Sequence, residues 1–201
     1  MIALIDYRAG NLTSVRKALA ACAAPVFTPQ NAAELATASA IIVPGVGHFA
    51  ATSVLDRSWI EHIRAAVGRG APLLGICLGM QWLYEGSEES PELPGLGLLK
   101  GRCQRLRADA ETNVKIPHVG WNNLDLDRQA TVVDGVVDGS QVYFTHSYAA
   151  PVTPETVAST THGSVFASIV QSDRVAGVQF HPEKSGDVGL RILKNWLALI
   201  P

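Results

Sequence analysis

The first half of the chain alternates almost continuously apolar runs with stretches in which apolar residues recur every three or four positions. The first kind of run is typical of buried parallel strands and the second of helices. The apolar runs predict strands at 2–6, 25–29, 40–45 and 72–77. The stretches that follow them predict helices beginning near positions 11, 31, 49 and 78. This rhythm predicts a parallel sheet with helices on both faces.

Capping residues and apolar stripes indicate where the helices run. Asn11 is the expected cap of the first helix. The longest stretch predicts one helix over about 49–67, with Val54 in its apolar stripe. The final stretch, 185–200, predicts a helix that Ser185 caps and that packs on the core.

The second half is richer in strand-like runs than in helical periods. Such runs predict strands within 97–106, 141–150, 156–163, 164–172 and 174–183. The polar stretch 86–95, rich in proline and glycine, predicts a loop instead. The two halves together predict a single α/β domain over 1–201. It would have three layers, with a largely parallel central sheet, helices on both faces and an antiparallel strand extension.

Composition and charge narrow the class of protein. Hydrophobic residues make up 47% of the 201 positions and charged residues 17%, as in an ordinary folded protein. The net charge of −2 comes without a basic stripe, so nucleic acid is a poor candidate for a partner. The opening "MIALID" resembles a strand rather than a signal peptide, and no run reaches the roughly 20 apolar residues of a membrane helix. We expect a cytoplasmic protein without membrane contact.

The three cysteines have different surroundings. Their number and spacing fit neither a disulfide framework nor a zinc site, and we interpret Cys22 and Cys103 as small apolar residues. Cys77 lies in "GICLGMQ", between Gly75 and Gly79 and after an apolar run. This bracket is typical of a nucleophile on a tight turn from strand to helix, where a nearby Cβ would clash. The positive end of the helix dipole would there favour the thiolate over the thiol.

A histidine–glutamate pair in "VQFHPEKS" provides a candidate base for this thiol. His181 stands where a strand is expected to end, and Glu183 follows on the same side of an extended chain. Pro182 stiffens the backbone between them. A carboxylate behind an imidazole fixes its tautomer and stabilises the imidazolium, as in nucleophilic triads generally. His146 in "FTHSYAA" ranks second, because no carboxylate follows it closely.

The turn "PGVG" at 44–47 is a candidate oxyanion site. Parallel strands end at one edge of a sheet, so its amides should lie beside Cys77. The Val46 or Gly47 amide, together with the Leu78 amide, would stabilise the oxyanion of a tetrahedral intermediate. A plain glycine-rich turn is the alternative for this motif taken alone. No pattern indicates a metal or a cofactor.

Together these motifs resemble those of the class I, or triad, glutamine amidotransferases, whose fold is flavodoxin-like. Within that family, "GNLTSV", "PHVGWNN", "HSYA" and "QFHPEKSG" are similar to the glutaminase subunits of imidazole glycerol phosphate synthases. The resemblance implies that Cys77 attacks the side-chain amide of glutamine, that His181 transfers protons and that Glu183 orients His181. A glutamyl thioester would then be hydrolysed to glutamate, and ammonia would be used in histidine biosynthesis.

The resemblance also implies roles at matching positions. Positions that hold glutamine in relatives are occupied here by Gly47, Gln81, Ser147 and Tyr148. Positions near the docking face for a (β/α)8-barrel cyclase, the other half of the expected heterodimer, are occupied by Asn11, Trp121, Tyr143 and Lys184. One departure is Arg8 in "DYRAGN", where many relatives are expected to have glycine. If this loop meets the partner, we expect Arg8 to alter docking or its salt dependence and to leave the triad untouched.

Three other functions remain open from the sequence. The small subunits of anthranilate and aminodeoxychorismate synthases share the cysteine turn and the His-x-Glu pair, although "PHVGWNN" and "HPEKS" speak against them. A non-catalytic scaffold of the same fold would not need an intact triad. A protease of related fold would not need a docking face.

Overall fold

The computed structural model describes residues 1–107 and 114–201. Its strands are β1 (Ile2–Leu4), β2 (Val26–Phe27), β3 (Ala40–Gly45), β4 (Leu73–Cys77), β5 (Gly86–Ser87), β6 (Ser90–Pro94), β7 (Arg102–Arg105), β8 (His118–Asn123), β9 (Asp125–Leu126), β10 (Gln141–His146), β11 (Tyr148–Ala149), β12 (Thr156–His162), β13 (Ser164–Ser172) and β14 (Val175–Val178). The α-helices are α1 (Leu12–Ala21), α2 (Arg57–Gly68), α3 (Leu78–Leu83) and α4 (Gly186–Leu197). Short 3-10 helices cover Ala32–Thr37, Phe49–Val54, Thr131–Val133 and Pro182–Lys184.

An eight-stranded sheet forms the middle layer, in the order β2-β1-β3-β4-β14-β13-β12-β9. Neighbours from β2 to β14 are parallel, and neighbours from β14 to β9 are antiparallel. The predicted parallel sheet with an antiparallel extension is therefore confirmed. Gly45 is the register partner of Cys77, so the carboxyl ends of β3 and β4 lie side by side. Ligands of parallel sheets bind at such strand ends.

Helices cover both faces of this sheet, as predicted. Alternate strand residues point to opposite faces, so Ile42 belongs to one hydrophobic cluster and Ile41 to the other. Helices α1 and α4 cover the first face, where Leu19 and Trp196 are fully buried. Helices α2 and α3 cover the second face. Burying one apolar side chain such as Leu19 contributes about 1.5–3 kcal/mol to the free energy of folding. Each face buries many such side chains, so both faces stabilise the sheet.

The single helix predicted over about 49–67 is wrong in detail, because the structure divides it into the 3-10 helix Phe49–Val54 and α2. Asp56 accounts for the division: its side chain accepts a hydrogen bond from the Trp59 amide and so caps a new helix. Val54 was expected in the apolar stripe but is 54% exposed. The apolar residues keep helical spacing on both sides of Asp56, so the spacing alone does not show where one helix ends and the next begins.

The stretch 86–95, predicted as a loop, instead forms strands β5 and β6. Strand β6 lies at the edge of a four-stranded sheet of order β11-β7-β5-β6. Pro91 and Pro94 are tolerated there because an edge strand leaves one side of its backbone unpaired. Proline and glycine therefore marked an edge strand rather than a loop.

A two-stranded antiparallel ribbon of β8 and β10 completes the described sheets and bears on the site. Tyr143 lies opposite Trp121 in this ribbon, and His146 lies opposite His118. Among the described residues, no helix combines the length and the apolar character needed to span a membrane. The single domain over 1–201 stays a prediction.

Candidate active site

Cys77 occupies a sharp turn from β4 into α3. Its φ of 53° is in the left-handed region, which residues other than glycine adopt rarely and which is often found at functional sites. Both bracketing glycines are explained by close packing. A Cβ on Gly79 would collide with the carbonyl oxygen of Val43, and a Cβ on Gly75 would lie 2.6 Å from the carbonyl oxygen of Gly79. The sulfur is thereby held at the start of α3, with the residue only 4% exposed.

His181 and Glu183 form a buried pair. The imidazole Nδ1 lies 2.8 Å from Oε1 of Glu183, and both side chains are 2% exposed. Burial alone would lower the pKa of His181, but the proximity of Cys77 and the hydrogen bond and charge of Glu183 raise it to about 9. The protonated imidazole is therefore the favoured form at neutral pH.

The backbone around His181 is tied to the β8–β10 ribbon. The His181 amide donates to the Tyr143 carbonyl oxygen at 2.9 Å, and the Tyr143 amide donates to the Ser185 hydroxyl at 3.0 Å. That hydroxyl donates in turn to the His181 carbonyl oxygen at 2.7 Å. The Ser185 side chain therefore does not cap α4, and the predicted cap is wrong. Nε2 of His181 is buried without a hydrogen bond of ordinary geometry to any described residue. The imidazole is thus held on its Nδ1 side and left available at Nε2.

A pocket of about 310 Å³ opens beside Cys77. This volume is at the small end of ligand pockets and suits a ligand of amino-acid size. The pocket gathers every residue predicted to bind glutamine or to form the oxyanion hole, namely Val46, Gly47, Leu78, Gln81, Ser147 and Tyr148. Residues from three separate parts of the chain therefore meet around one sulfur.

The three candidate oxyanion amides are not equally available. The Leu78 amide is at the first position of α3, where a backbone N–H has no acceptor within its own helix. Gly47 has a φ of 102°, a conformation that suits glycine. The Val46 amide, in contrast, donates to the Ala9 carbonyl oxygen at 2.5 Å. In this conformation the Val46 N–H is engaged elsewhere, and it can serve an oxyanion only after the peptide turns.

Comparison with known proteins decides the family. The model of the glutamine amidotransferase class-I family matches residues 3–199. The chain belongs to this family. Among curated relatives, "Imidazole glycerol phosphate synthase subunit HisH" of Bacillus cereus is 43% identical over 100% of this chain and 95% of its own length. The HisH subunit of Gloeobacter violaceus is 47% identical, covering 98% of this chain and 88% of its own length.

Several solved structures have a fold similar to that of this chain. One described as "Crystal structure of glutamine amidotransferase" has a TM-score of 0.77 at 19% identity and covers 100% of this chain and 99% of its own. "Structure of PurLQS from Thermotoga maritima" has a TM-score of 0.73 at 20% identity, with 100% and 98% covered. At such identities the likeness concerns the fold alone, and it agrees with the predicted α/β architecture.

Two residues around Cys77 and its pocket were missed by sequence reasoning. Gln179 is fully buried, and its Nε2 lies 3.7 Å from Sγ of Cys77. The sequence did contain a signal for Gln179, because it stands two residues before His181 and therefore on the same side of the strand-like run. Glu89 lines the pocket, and its carboxylate accepts a hydrogen bond from the Phe49 amide at 2.7 Å. It had no signal, because it lay in a stretch predicted as a loop.

His146, the second-ranked candidate base, also lines the pocket. Its Nδ1 lies 2.9 Å from the Tyr148 carbonyl oxygen and must donate to it, while its Nε2 lies 3.1 Å from Nδ1 of His118. Burial lowers the pKa of His146 to about 3, so the ring is neutral. With both nitrogens occupied, His146 is better suited to support the pocket wall than to accept a proton from Cys77.

Three of the four residues expected at the docking face of the amidotransferase lie together. The Trp121 and Tyr143 rings pack edge to face with centroids 6.1 Å apart, and Nζ of Lys184 lies 5.6 Å from the Tyr143 ring centroid. Trp121 is 54% exposed, which is unusual for so large an apolar side chain. Asn11 lies at the start of α1, where its side chain accepts a hydrogen bond from the Ser14 amide and confirms the predicted cap.

Proposed function

We propose that this chain is the glutaminase subunit of an imidazole glycerol phosphate synthase. The observation that carries the proposal is the buried His181–Glu183 pair beside Cys77 at the edge of an amino-acid-sized pocket. HisH relatives that match nearly the whole chain favour this synthase over the chorismate-using enzymes. Glutamine is the substrate, and ammonia passes to a (β/α)8-barrel cyclase within a heterodimer. The free state of all three cysteines supports a cytoplasmic location.

In the first half of the reaction, the Cys77 thiolate attacks the side-chain amide carbon of glutamine. A C–S bond forms and the carbonyl electrons move onto oxygen, where the Leu78 amide and, once docking has turned the Val46 peptide, the Val46 amide stabilise the charge. His181 then gives its Nε2 proton to the amide nitrogen, the C–N bond breaks, and ammonia leaves. A glutamyl thioester remains on the sulfur.

In the second half, water attacks the thioester carbon. Neutral His181 takes a proton from the water as the C–O bond forms, and the C–S bond then breaks to return the thiolate. The new carboxyl group loses its remaining proton to solvent, and glutamate is released. Glu183 accepts the hydrogen bond from Nδ1 throughout, so that Nε2 remains the nitrogen that exchanges protons. The histidine ends the cycle protonated, as it began.

Glu89 is proposed to bind the α-amino group of glutamine, because its carboxylate lies in the pocket wall. Glu89→Gln should raise KM for glutamine about 10- to 100-fold and leave kcat within a few-fold, since a charge-assisted hydrogen bond contributes about 1.5–3 kcal/mol. The substituted amide can still accept from the Phe49 amide, so local structure should survive. Glutamate release measured against glutamine concentration gives both constants. Exposed Glu92→Gln is the matched control, and an unchanged KM in Glu89→Gln would contradict the assignment.

Docking is proposed to complete the oxyanion hole, because the Val46 amide is bonded to Ala9 in the chain alone. One oxyanion donor is worth about a hundred- to a thousandfold in kcat, so the isolated chain should release glutamate that much more slowly than its complex with the cyclase. The measurement is glutamate release with and without the cyclase. Equal rates would refute gating, and activation by a chorismate-using subunit instead would refute the choice of synthase.

A further inference from the structure

We propose that Gln179 is a catalytic hydrogen-bond donor to the Cys77 sulfur, with its orientation set through Gln81 by the Tyr148 carbonyl. The inference rests on the proposed glutaminase function and adds a residue to it. Gln179 is 0% exposed and lies just beyond β14, which places its side-chain amide nitrogen 3.7 Å from Sγ of Cys77. A buried amide is costly unless its polar atoms are paired, so this placement calls for a partner at each end.

The Tyr148 carbonyl determines which end of the amide faces the sulfur. A carbonyl oxygen only accepts hydrogen bonds, so the Gln81 side chain must present its nitrogen, which lies 2.7 Å away. The same Gln81 nitrogen lies 3.1 Å from Oε1 of Gln179 and donates its second hydrogen there. The Gln179 oxygen is thereby occupied, and its nitrogen is the end left to face Cys77. Rotating either amide would bring two acceptors or two donors together.

The sulfur therefore has different partners in its two protonation states. As a thiol, Cys77 can donate weakly to the Thr145 carbonyl oxygen, 4.0 Å from Sγ. As a thiolate it only accepts, and the Gln179 N–H is placed to donate to it. A hydrogen bond to the charged form favours that form, so Gln179 assists both the attack and the departure of the thiolate.

The effect of Gln179 on the Cys77 thiolate is separate from that of the ionisable groups nearby. His181 supplies positive charge near the sulfur, whereas Tyr7 and His146 stay neutral because burial raises the pKa of the phenol and lowers that of the imidazole. Glu89 lines the same pocket and is bonded to a backbone amide. Substitution of Gln179 changes none of these groups, so its effect on the thiolate can be measured separately.

The test is the pH dependence of Cys77 alkylation by iodoacetamide, followed peptide by peptide with mass spectrometry. Gln179→Met keeps the side-chain length but removes the donor, and it should raise the pH of half-maximal alkylation by about one unit, which lowers the rate below that pH about tenfold. Gln179→Glu should raise it further, because a carboxylate repels the thiolate. Cys22 in the same molecule and the exposed-site variant Gln129→Met serve as controls and should be unchanged.

A second variant tests the orientation and keeps Gln179 in place. Gln81→Met frees the Gln179 amide to rotate, so the half-maximal pH should again rise. The proposal would be overturned if Cys77 in both Gln179→Met and Gln179→Glu were alkylated with the same pH dependence as in the wild type. If neither of these variants folds, the same result in Gln81→Met would overturn it. Iodoacetamide reacts without glutamine, so failure of this test is distinguishable from failure of the glutaminase assignment.

Discussion

Cys77→Ala should lower the rate of glutamate release, measured with the cyclase subunit present, by at least about a thousandfold. No other cysteine can replace it: Cys103 is fully buried, and burial raises its pKa strongly, whereas Cys22 lies partly exposed and contacts the Leu190 carbonyl of α4. Without the sulfur no thioester forms, and water would have to attack a neutral amide directly. The loss should appear in kcat rather than in KM, because the pocket residues remain.

Cys22→Ala is the matched control for this loss and should retain the wild-type rate. Glutamine binding by calorimetry and the unfolding temperature should be near wild type in Cys77→Ala, since the alanine removes one sulfur atom from a turn that the glycines still permit. Full glutaminase activity in Cys77→Ala would contradict the mechanism at its first step.

Glu183→Gln should reduce kcat by about a hundred- to ten-thousandfold and move the alkaline limb of the kcat–pH profile to lower pH. Glu183 raises the pKa of His181, so its loss lowers that pKa, and the imidazolium that protonates the leaving amide nitrogen is lost at a lower pH. In the wild type the decline should be centred near pH 9, where His181 loses its proton. The measurement is kcat from about pH 6 to pH 10 for both proteins.

Asp187→Asn provides the comparison for Glu183→Gln, because it neutralises an exposed carboxylate in the first turn of α4. Its profile should follow the wild type. A Glu183→Gln variant with an unshifted alkaline limb would show that the carboxylate does not control the histidine, whatever happened to the rate.

Local sterics made the cysteine turn predictable. The left-handed φ of Cys77 and the close approach of Gly79 to Val43 both demand small neighbours, and that demand is visible as glycines in the sequence. The parallel strands were predictable for a similar reason, since strands buried on both faces are apolar throughout. Features dictated by the immediate neighbours of a residue were therefore recovered.

Features that depend on distant contacts were not recovered. Gln179 meets Cys77 across 102 positions of sequence. Its place two residues before His181 indicates the side of the chain on which it lies, but not this contact. The hydrogen bond from the Val46 amide to Ala9 depends on the orientation of one peptide plane, which leaves no trace in the type of residue. The boundary at Asp56 was missed because apolar spacing continues on both sides of the cap.

The most direct test of the central claim is the mass of the chain after reaction with an electrophilic glutamine analogue, such as a diazoketone, in complex with the cyclase. The account predicts one adduct per chain, located on Cys77 by peptide mapping and suppressed by excess glutamine. An unlabelled Cys77 in the assembled complex, or an adduct that excess glutamine does not suppress, would contradict it.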